Sequence, residues 1–199
     1  MTGRPALKVC GVNDAEFAVA AEARGADYLG FIFAEGSPRR VTPEAAAAIS
    51  GRLSGASRRV GVFVRETPAE IDQVMRRARL DVVQLHRRAS AEDVKALREA
   101  GYEVWTLAGG EPGDAVLFDS SHGDGETAFR RGPWRTVLAG GISAENIAEA
   151  LAPGPAVVDI SGSLETSPGR KDISLLDAFL AAFRRGNVGN AGTDPEKDL

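Results

Sequence analysis

A single thiol, a few carboxylates and two glycine-bearing loops are the parts of this sequence that could do chemistry. Cys10, followed by Gly11, closes one short apolar run, and Asp119 closes another. A thiol and a carboxyl facing one substrate could serve as general base and general acid. His86 ends the run Gln84-Leu85-His86, Asp159 begins Asp159-Ile160-Ser161-Gly162, and Arg39 and Arg40 follow a strand-like stretch. Gly140-Gly141 and Ser161-Gly162 are flexible enough for backbone amides to reach a phosphate. Each has a plain structural reading as well: a buried small hydrophobe, a loop cap, a satisfied core histidine, a solvated charge pair, two tight turns. Taken together they describe an acid–base pair beside an anion site. The only histidines, His86 and His122, belong to no H-x-x-x-H pair, and no His, Cys and carboxylate cluster has ligand spacing, so no metal is expected.

These residues need elements to hold them. Apolar runs at Leu7-Val9, Tyr28-Phe33, Val60-Val64, Val82-Leu85, Val104-Leu107, Ala115-Phe118, Thr136-Ala139 and Ala156-Ile160 read as eight strands. Several are almost continuously apolar, as strands covered on both faces are. Helix starts lie between them. Asp14, Thr42 before Pro43, Thr67 before Pro68, Ser90 and Ser143 can each cap a helix, and Ser174 opens a last one from Leu175 to about Arg184. Alternating strands and helices predict a parallel sheet, open or closed. No G-x-G-x-x-G follows the first strand, which disfavours a dinucleotide fold.

A closed (β/α)8 TIM barrel is the expectation, compact at 199 residues. The segment Ala108-Asp114 is too short and too rich in glycine and proline for a normal helix, so the helix after the fifth strand should be missing or very short. Residues 1–185 form one catalytic domain in this reading, and the polar stretch 186–199 reads as a disordered tail. In such barrels the chemistry sits where strands end, with phosphate commonly held after strands seven and eight. The residues singled out above fall at those ends.

Composition narrows the class further. A net charge of -4 with interspersed signs favours neither nucleic acid nor an anionic membrane. The lone cysteine precludes an intramolecular disulfide, and no apolar run suits a signal peptide or a membrane span. A cytoplasmic protein is expected. Nothing separates an interface stripe from barrel-covering helix faces, and a monomer is the working expectation.

At the level of motifs the sequence resembles the phosphoribosylanthranilate isomerases. The opening KVCGVNDAEFAVAAEARGADYLGFIFAEGSPRRVTPEAA is similar to that family's K-[IV]-C-G start, its G-A-D-x-x-G-F-[IV]-F strand and its S-[PK]-R-x-[IV]-[ST] loop. VGVFV, DVVQLH, LFD, LAGGISAENIAEAL and DISGSLETSPGRKD continue the match in order, over roughly residues 7 to 185. The resemblance implies a (β/α)8 enzyme of tryptophan synthesis. It would carry out the Amadori rearrangement of N-(5-phosphoribosyl)anthranilate to 1-(2-carboxyphenylamino)-1-deoxyribulose 5-phosphate, without cofactor or metal. It further implies Cys10 as base and Asp119 as acid, with Arg40, His86 and Asp159 as substrate contacts. Gly140, Gly141, Ser161 and Gly162 would hold the phosphate of this small phosphorylated substrate.

The chain departs from the family pattern in three places. Residues 121–134, SHGDGETAFRRGPW, replace a glycine-rich loop and set Glu126 near a usual lysine. Ser161-Gly162-Ser163-Leu164-Glu165 stands for S-S-G-V-E, and Arg87 stands for a glycine after His86. A degenerate barrel that binds a sugar phosphate without turnover is one rival reading. Another is the histidine-pathway aminoaldose isomerase, which carries aspartate in place of Cys10 and has two similar halves. Finally, strand alternation points Lys8 to the same side as Cys10. Lys8 could favour the thiolate, or sit in an ion pair in the barrel floor.

Overall fold

Eight parallel strands close into a barrel in the computed structural model, which describes residues 4–120 and 135–190. They are β1 (Ala6–Cys10), β2 (Tyr28–Ile32), β3 (Arg58–Phe63), β4 (Val82–Leu85), β5 (Glu103–Leu107), β6 (Ala115–Asp119), β7 (Arg135–Ala139) and β8 (Val157–Ile160). Each pairs in parallel with the next, and β8 closes onto β1. All eight strands lie where the apolar runs predict them. Alternation divides their residues into two sets. Leu7, Val9, Leu29, Phe31, Val83, Leu85, Val158 and Ile160 join the large outer core with the helices. Tyr28, Val60, Val82, Trp105, Ala115, Leu117, Val137 and Val157 fill the barrel interior.

Four helices begin where their expected caps direct, whereas Ser143 and Ser174 cap none: the helix after β7 starts at Ile147 without a side-chain cap, and Asp172 accepts the Ser174 and Leu175 amides at the head of the last helix. Asp14 accepts from the Phe17 amide at the head of α1 (Ala15–Ala23), and Thr42 accepts from Ala45 before α2 (Pro43–Ser50). Thr67 and Glu70 form a reciprocal capping box on α3 (Pro68–Ala78), as Ser90 and Asp93 do on α4 (Ala91–Glu99). No helix lies between β5 and β6; the chain turns there through residues 108–114. Asp114 secures that turn by accepting from the Val104 amide at 2.8 Å. After β7, α5 (Ile147–Leu151) is short, and Asn146 accepts from the Ser143 amide within the preceding loop.

Two further features depart from expectation. Past β8 a 3-10 turn (Gly162–Leu164) leads into an antiparallel hairpin of β9 (Glu165–Ser167) and β10 (Arg170–Lys171). The last helix, α6, spans Ile173–Asn190 and so continues five residues into the stretch expected to be a disordered tail. Gly186 explains part of this: a β-carbon there would lie 3.0 Å from Leu151 Cδ1, so the missing side chain lets α6 pack closely on α5. Residues 191–199 lie outside the described residues, as do residues 121–134 with His122 and Glu126. No helix among the described residues is long and apolar enough to cross a membrane.

Candidate active site

One cavity of about 610 Å³ opens at the C-terminal ends of the strands. Cys10, His86, Asp119, Asp159, Gly140, Gly141, Ser161 and Gly162 all line it. They come from five strands or the loops that follow them, and alternation aims Cys10, Asp119 and Asp159 inward from their strands. Apolar walls come from Ile32, Ala34, Val62, Val64 and Ile142. Charged groups therefore meet a substrate against a partly apolar surface.

Lys8 and Asp159 form the floor. Register places them side by side on β1 and β8, and Lys8 Nζ donates to Asp159 Oδ2 at 2.7 Å. Both are buried, Lys8 completely. Cys10 sits one step higher on β1, opposite Gly30 of β2. A β-carbon on Gly30 would come within 2.9 Å of Cys10 Sγ and 3.2 Å of Lys8 Nζ, so glycine leaves the space both groups occupy. Burial pushes the Cys10 thiol up from its ordinary value, opposed first by the Lys8 ammonium. Burial likewise pushes the Asp159 carboxyl up, against the pull of Lys8. For Lys8, burial acts to lower the ammonium, yet Asp159 and Cys10 together hold it above its ordinary value.

Across the cavity, Asp119 Oδ2 lies 3.4 Å from His86 Nε2, and His86 Nδ1 lies 3.5 Å from Gln84 Nε2. Gly140 makes room for this carboxylate. Its φ is +92°, and a β-carbon would come within 2.6 Å of Asp119 Oδ1 and 2.5 Å of the Ser120 amide. The loop is tied down by Asn146, whose Nδ2 donates to Gly141 O at 2.9 Å, and by Ser120, whose hydroxyl donates to Gly140 O at 2.8 Å. On the opposite loop, Ser161 Oγ donates to Cys10 O at 3.1 Å, which links the end of β8 to the thiol strand.

Arg40 does not reach this cavity. Its backbone bridges back to Ile32, its Nε donates to Phe33 O at 3.1 Å, and its side chain lines a neighbouring groove with Glu35, Arg65 and Glu70. Among the described residues, the arginine that lines the cavity is Arg39. Its guanidinium grips Glu165 with two 2.7 Å bonds, a bidentate geometry that fixes its plane. Glu165 also accepts from Lys171 Nζ at 2.8 Å and from the Gly169 amide at 3.2 Å. Burial alone would raise its carboxyl, but Arg39 and Lys171 hold it down at about 2. Lys171, whose side chain is inaccessible, then reaches Ser161 O at 3.0 Å.

Gln84, Ser37, Glu165 and Lys171 were missed as site residues at the sequence level. Gln84 could have been found by alternation, since it stands two residues before His86 on the same inner face. Asp159 Oδ1 and Gln84 Oε1 are buried in this wall with no hydrogen-bond partner among the described residues. Among those residues no group of three or more His, Cys, Asp or Glu side chains is placed to hold a metal ion. The arrangement offers a thiol and a carboxylate from different strands, two unpartnered acceptors, an oriented arginine and two glycine-bearing loops. That set suits proton transfer on a small polar anion.

Comparisons with known proteins agree on one family. The family model described as N-(5'phosphoribosyl)anthranilate (PRA) isomerase matches residues 7–182. An N-(5'-phosphoribosyl)anthranilate isomerase of Citrifermentans bemidjiense is 40% identical, over 90% of this chain and 97% of its own. A solved phosphoribosyl anthranilate isomerase from Thermus thermophilus superposes with a TM-score of 0.81 at 37% identity, covering 90% of this chain and 98% of that one. Another, solved in complex with reduced 1-(o-carboxyphenylamino)-1-deoxyribulose 5-phosphate, superposes with a TM-score of 0.77 at 31% identity over 91% and 99% of the two chains.

Proposed function

The chain belongs to the phosphoribosylanthranilate isomerase family, and on that premise we propose how its cavity converts N-(5-phosphoribosyl)anthranilate to 1-(2-carboxyphenylamino)-1-deoxyribulose 5-phosphate. Asp119, in its acid form, gives a proton to the furanose ring oxygen. The C1′–O bond breaks, the nitrogen lone pair completes a C1′=N iminium, and the sugar opens. Cys10, as thiolate, then takes the proton from C2′. The C–H electron pair becomes the C1′=C2′ bond and the iminium pair returns to nitrogen, giving an enolamine. Loss of the C2′ hydroxyl proton and protonation at C1′ yield the ketone, so the whole sequence is a net isomerisation.

The observation that carries this assignment is the convergence of Cys10 from β1 and Asp119 from β6 on one cavity, with the Gly140-Gly141 and Ser161-Gly162 loops at its rim. Those loops hold the phosphate in this reading, in the part of the fold where phosphate commonly binds. Asp159 Oδ1 and Gln84 Oε1 accept from sugar hydroxyls, which removes the cost of leaving them buried and unpartnered. Arg39, rather than Arg40, faces the anthranilate carboxylate. His86 lies against Asp119 and helps to orient it. A monomer in the cytoplasm completes the reading; sedimentation equilibrium and cell fractionation test those two points.

Mixing the purified chain with N-(5-phosphoribosyl)anthranilate and following its fluorescence tests the activity. Rapid loss of substrate with a product of unchanged mass is the expected result. A folded chain that binds the substrate and leaves it intact would replace the isomerase with a sugar-phosphate binder.

A further inference from the structure

Among the described residues Lys8 is the one charged residue with no accessible surface, and the reaction scheme leaves it without a task. Its side chain is wholly inaccessible, yet it carries an ammonium beneath the one thiol of the chain. Burying a charge is costly unless it is paired, and Asp159 supplies the pair at 2.7 Å. That alone would make Lys8 a floor strut. The position of Gly30 says more. One missing β-carbon leaves the space for both Lys8 Nζ and Cys10 Sγ, which puts the two atoms within about 6 Å of each other. At that separation an ammonium favours a neighbouring anion substantially when water is excluded.

We propose that Lys8 is a positioning residue for the isomerisation: its ammonium, anchored by Asp159, stabilises the thiolate of Cys10 that removes the C2′ proton. The inference rests on the base role given to Cys10 above. In the resting site the thiol keeps its proton, because burial opposes the thiolate. When the proton leaves to water in the cavity, the new negative charge meets Lys8 directly. Lys8 is then shared between two anions, Cys10 and Asp159. Asp159 therefore both holds Lys8 in place and competes for its charge.

Other groups act on the same sulfur and are part of the balance. From β10, Lys171 favours the thiolate, and from the loop after β2 so does Arg39. Both are already committed to Glu165, which draws off their charge. From β8, Asp159 disfavours the thiolate. Asp119 and His86 line the far wall of the same cavity. Lys8 is the largest influence opposing the burial of the thiol, and it is the cation whose removal should be felt most.

Because Cys10 is the only cysteine, thiolate absorbance and alkylation by iodoacetamide read this one group without interference. The titration is run on the wild type, Lys8→Met, Lys8→Arg and Asp159→Asn, with no substrate present. Lys8→Met should move the thiol midpoint up by about one to three pH units, the range an adjacent opposite charge accounts for. Lys8→Arg should restore it, and Asp159→Asn should move it down by freeing Lys8 from its competitor. A midpoint unchanged in folded Lys8→Met would overturn the proposal. If Lys8→Met does not fold, the Asp159→Asn result decides: a midpoint that stays or rises refutes the role given to Lys8. The base reading stands or falls separately, since a midpoint that follows Lys8 while Cys10→Ala still turns over would remove Cys10 from the mechanism and leave the Lys8–Cys10 coupling intact.

Discussion

Gly140 controls where the proposed acid sits, and replacing it with alanine gives a change whose size can be worked out beforehand. Ordinary contact for a β-carbon begins at 3.4 Å, whereas one at this position would stand 2.6 Å from Asp119 Oδ1. The carboxylate, or the backbone of Ser120 beside it, must retreat by about 0.8 Å. A misplacement on the order of 1 Å can cost roughly a hundredfold in rate. Holding a non-glycine residue at positive φ adds roughly 1–2 kcal/mol of strain. In a chain of this size that strain lowers Tm by roughly 2–8 °C. Gly141→Ala is the matched control. Its φ is +63° and nothing lies within 4 Å of the added carbon, so it carries comparable strain without the collision. The assay is steady-state consumption of N-(5-phosphoribosyl)anthranilate, with Tm measured alongside. Gly140→Ala should lose kcat by roughly a hundredfold. Gly141→Ala should raise KM at the phosphate loop while kcat stays within about threefold, a change of well under 1 kcal/mol. Equal kcat losses in both, or an unimpaired Gly140→Ala, would refute the argument that this glycine places Asp119.

Two further predictions concern the charged wall. Arg39→Met should lower kcat/KM by roughly ten- to a hundredfold, mainly through KM, as loss of a charge-assisted contact worth about 1.5–3 kcal/mol requires. Arg40→Met should stay near wild type, and the reverse pattern would return the substrate contact to Arg40. Glu165→Gln removes the partner of the inaccessible Lys171 ammonium and of Arg39, so it should cost about 3 kcal/mol at neutral pH. The native carboxyl sits at about 2 against an ordinary value of 4.5, so its stabilisation is complete above pH 4.5 and is lost as pH falls through about 2. Urea unfolding at pH 7 and pH 3 should show the wild-type advantage shrinking with acid; an advantage independent of pH would contradict this assignment.

Strand positions were legible because barrel strands are covered on both faces, which leaves nearly continuous apolar runs such as Leu29-Gly30-Phe31-Ile32. Helix starts were legible because Asp14, Thr42, Thr67 and Ser90 cap through local bonds that depend on neighbours three residues away. The choice between Arg39 and Arg40 was not. They are adjacent, and only the backbone bridge of Arg40 to Ile32 decides which side chain turns into the cavity. The β9–β10 hairpin escaped notice because two polar strands of two and three residues carry no alternation, although Pro168-Gly169 was a turn signal within it. Helix α6 ran past its expected end because a glycine in a helix costs only about 1 kcal/mol, and at Gly186 close packing on Leu151 favours it. For Lys8 the ion pair read from strand alternation is present with Asp159, and the same side chain lies on the side of Cys10 where alternation puts it.

The central claim is that Cys10 and Asp119 are the base and acid of one isomerase site. Turnover of N-(5-phosphoribosyl)anthranilate by wild type, Cys10→Ala and Asp119→Ala, each verified as folded, tests it most directly. Each variant should lose about 10²- to 10⁴-fold in kcat, the range proton-transfer groups supply, while still binding the substrate. Turnover near the wild-type rate in either variant would contradict the assignment of that residue.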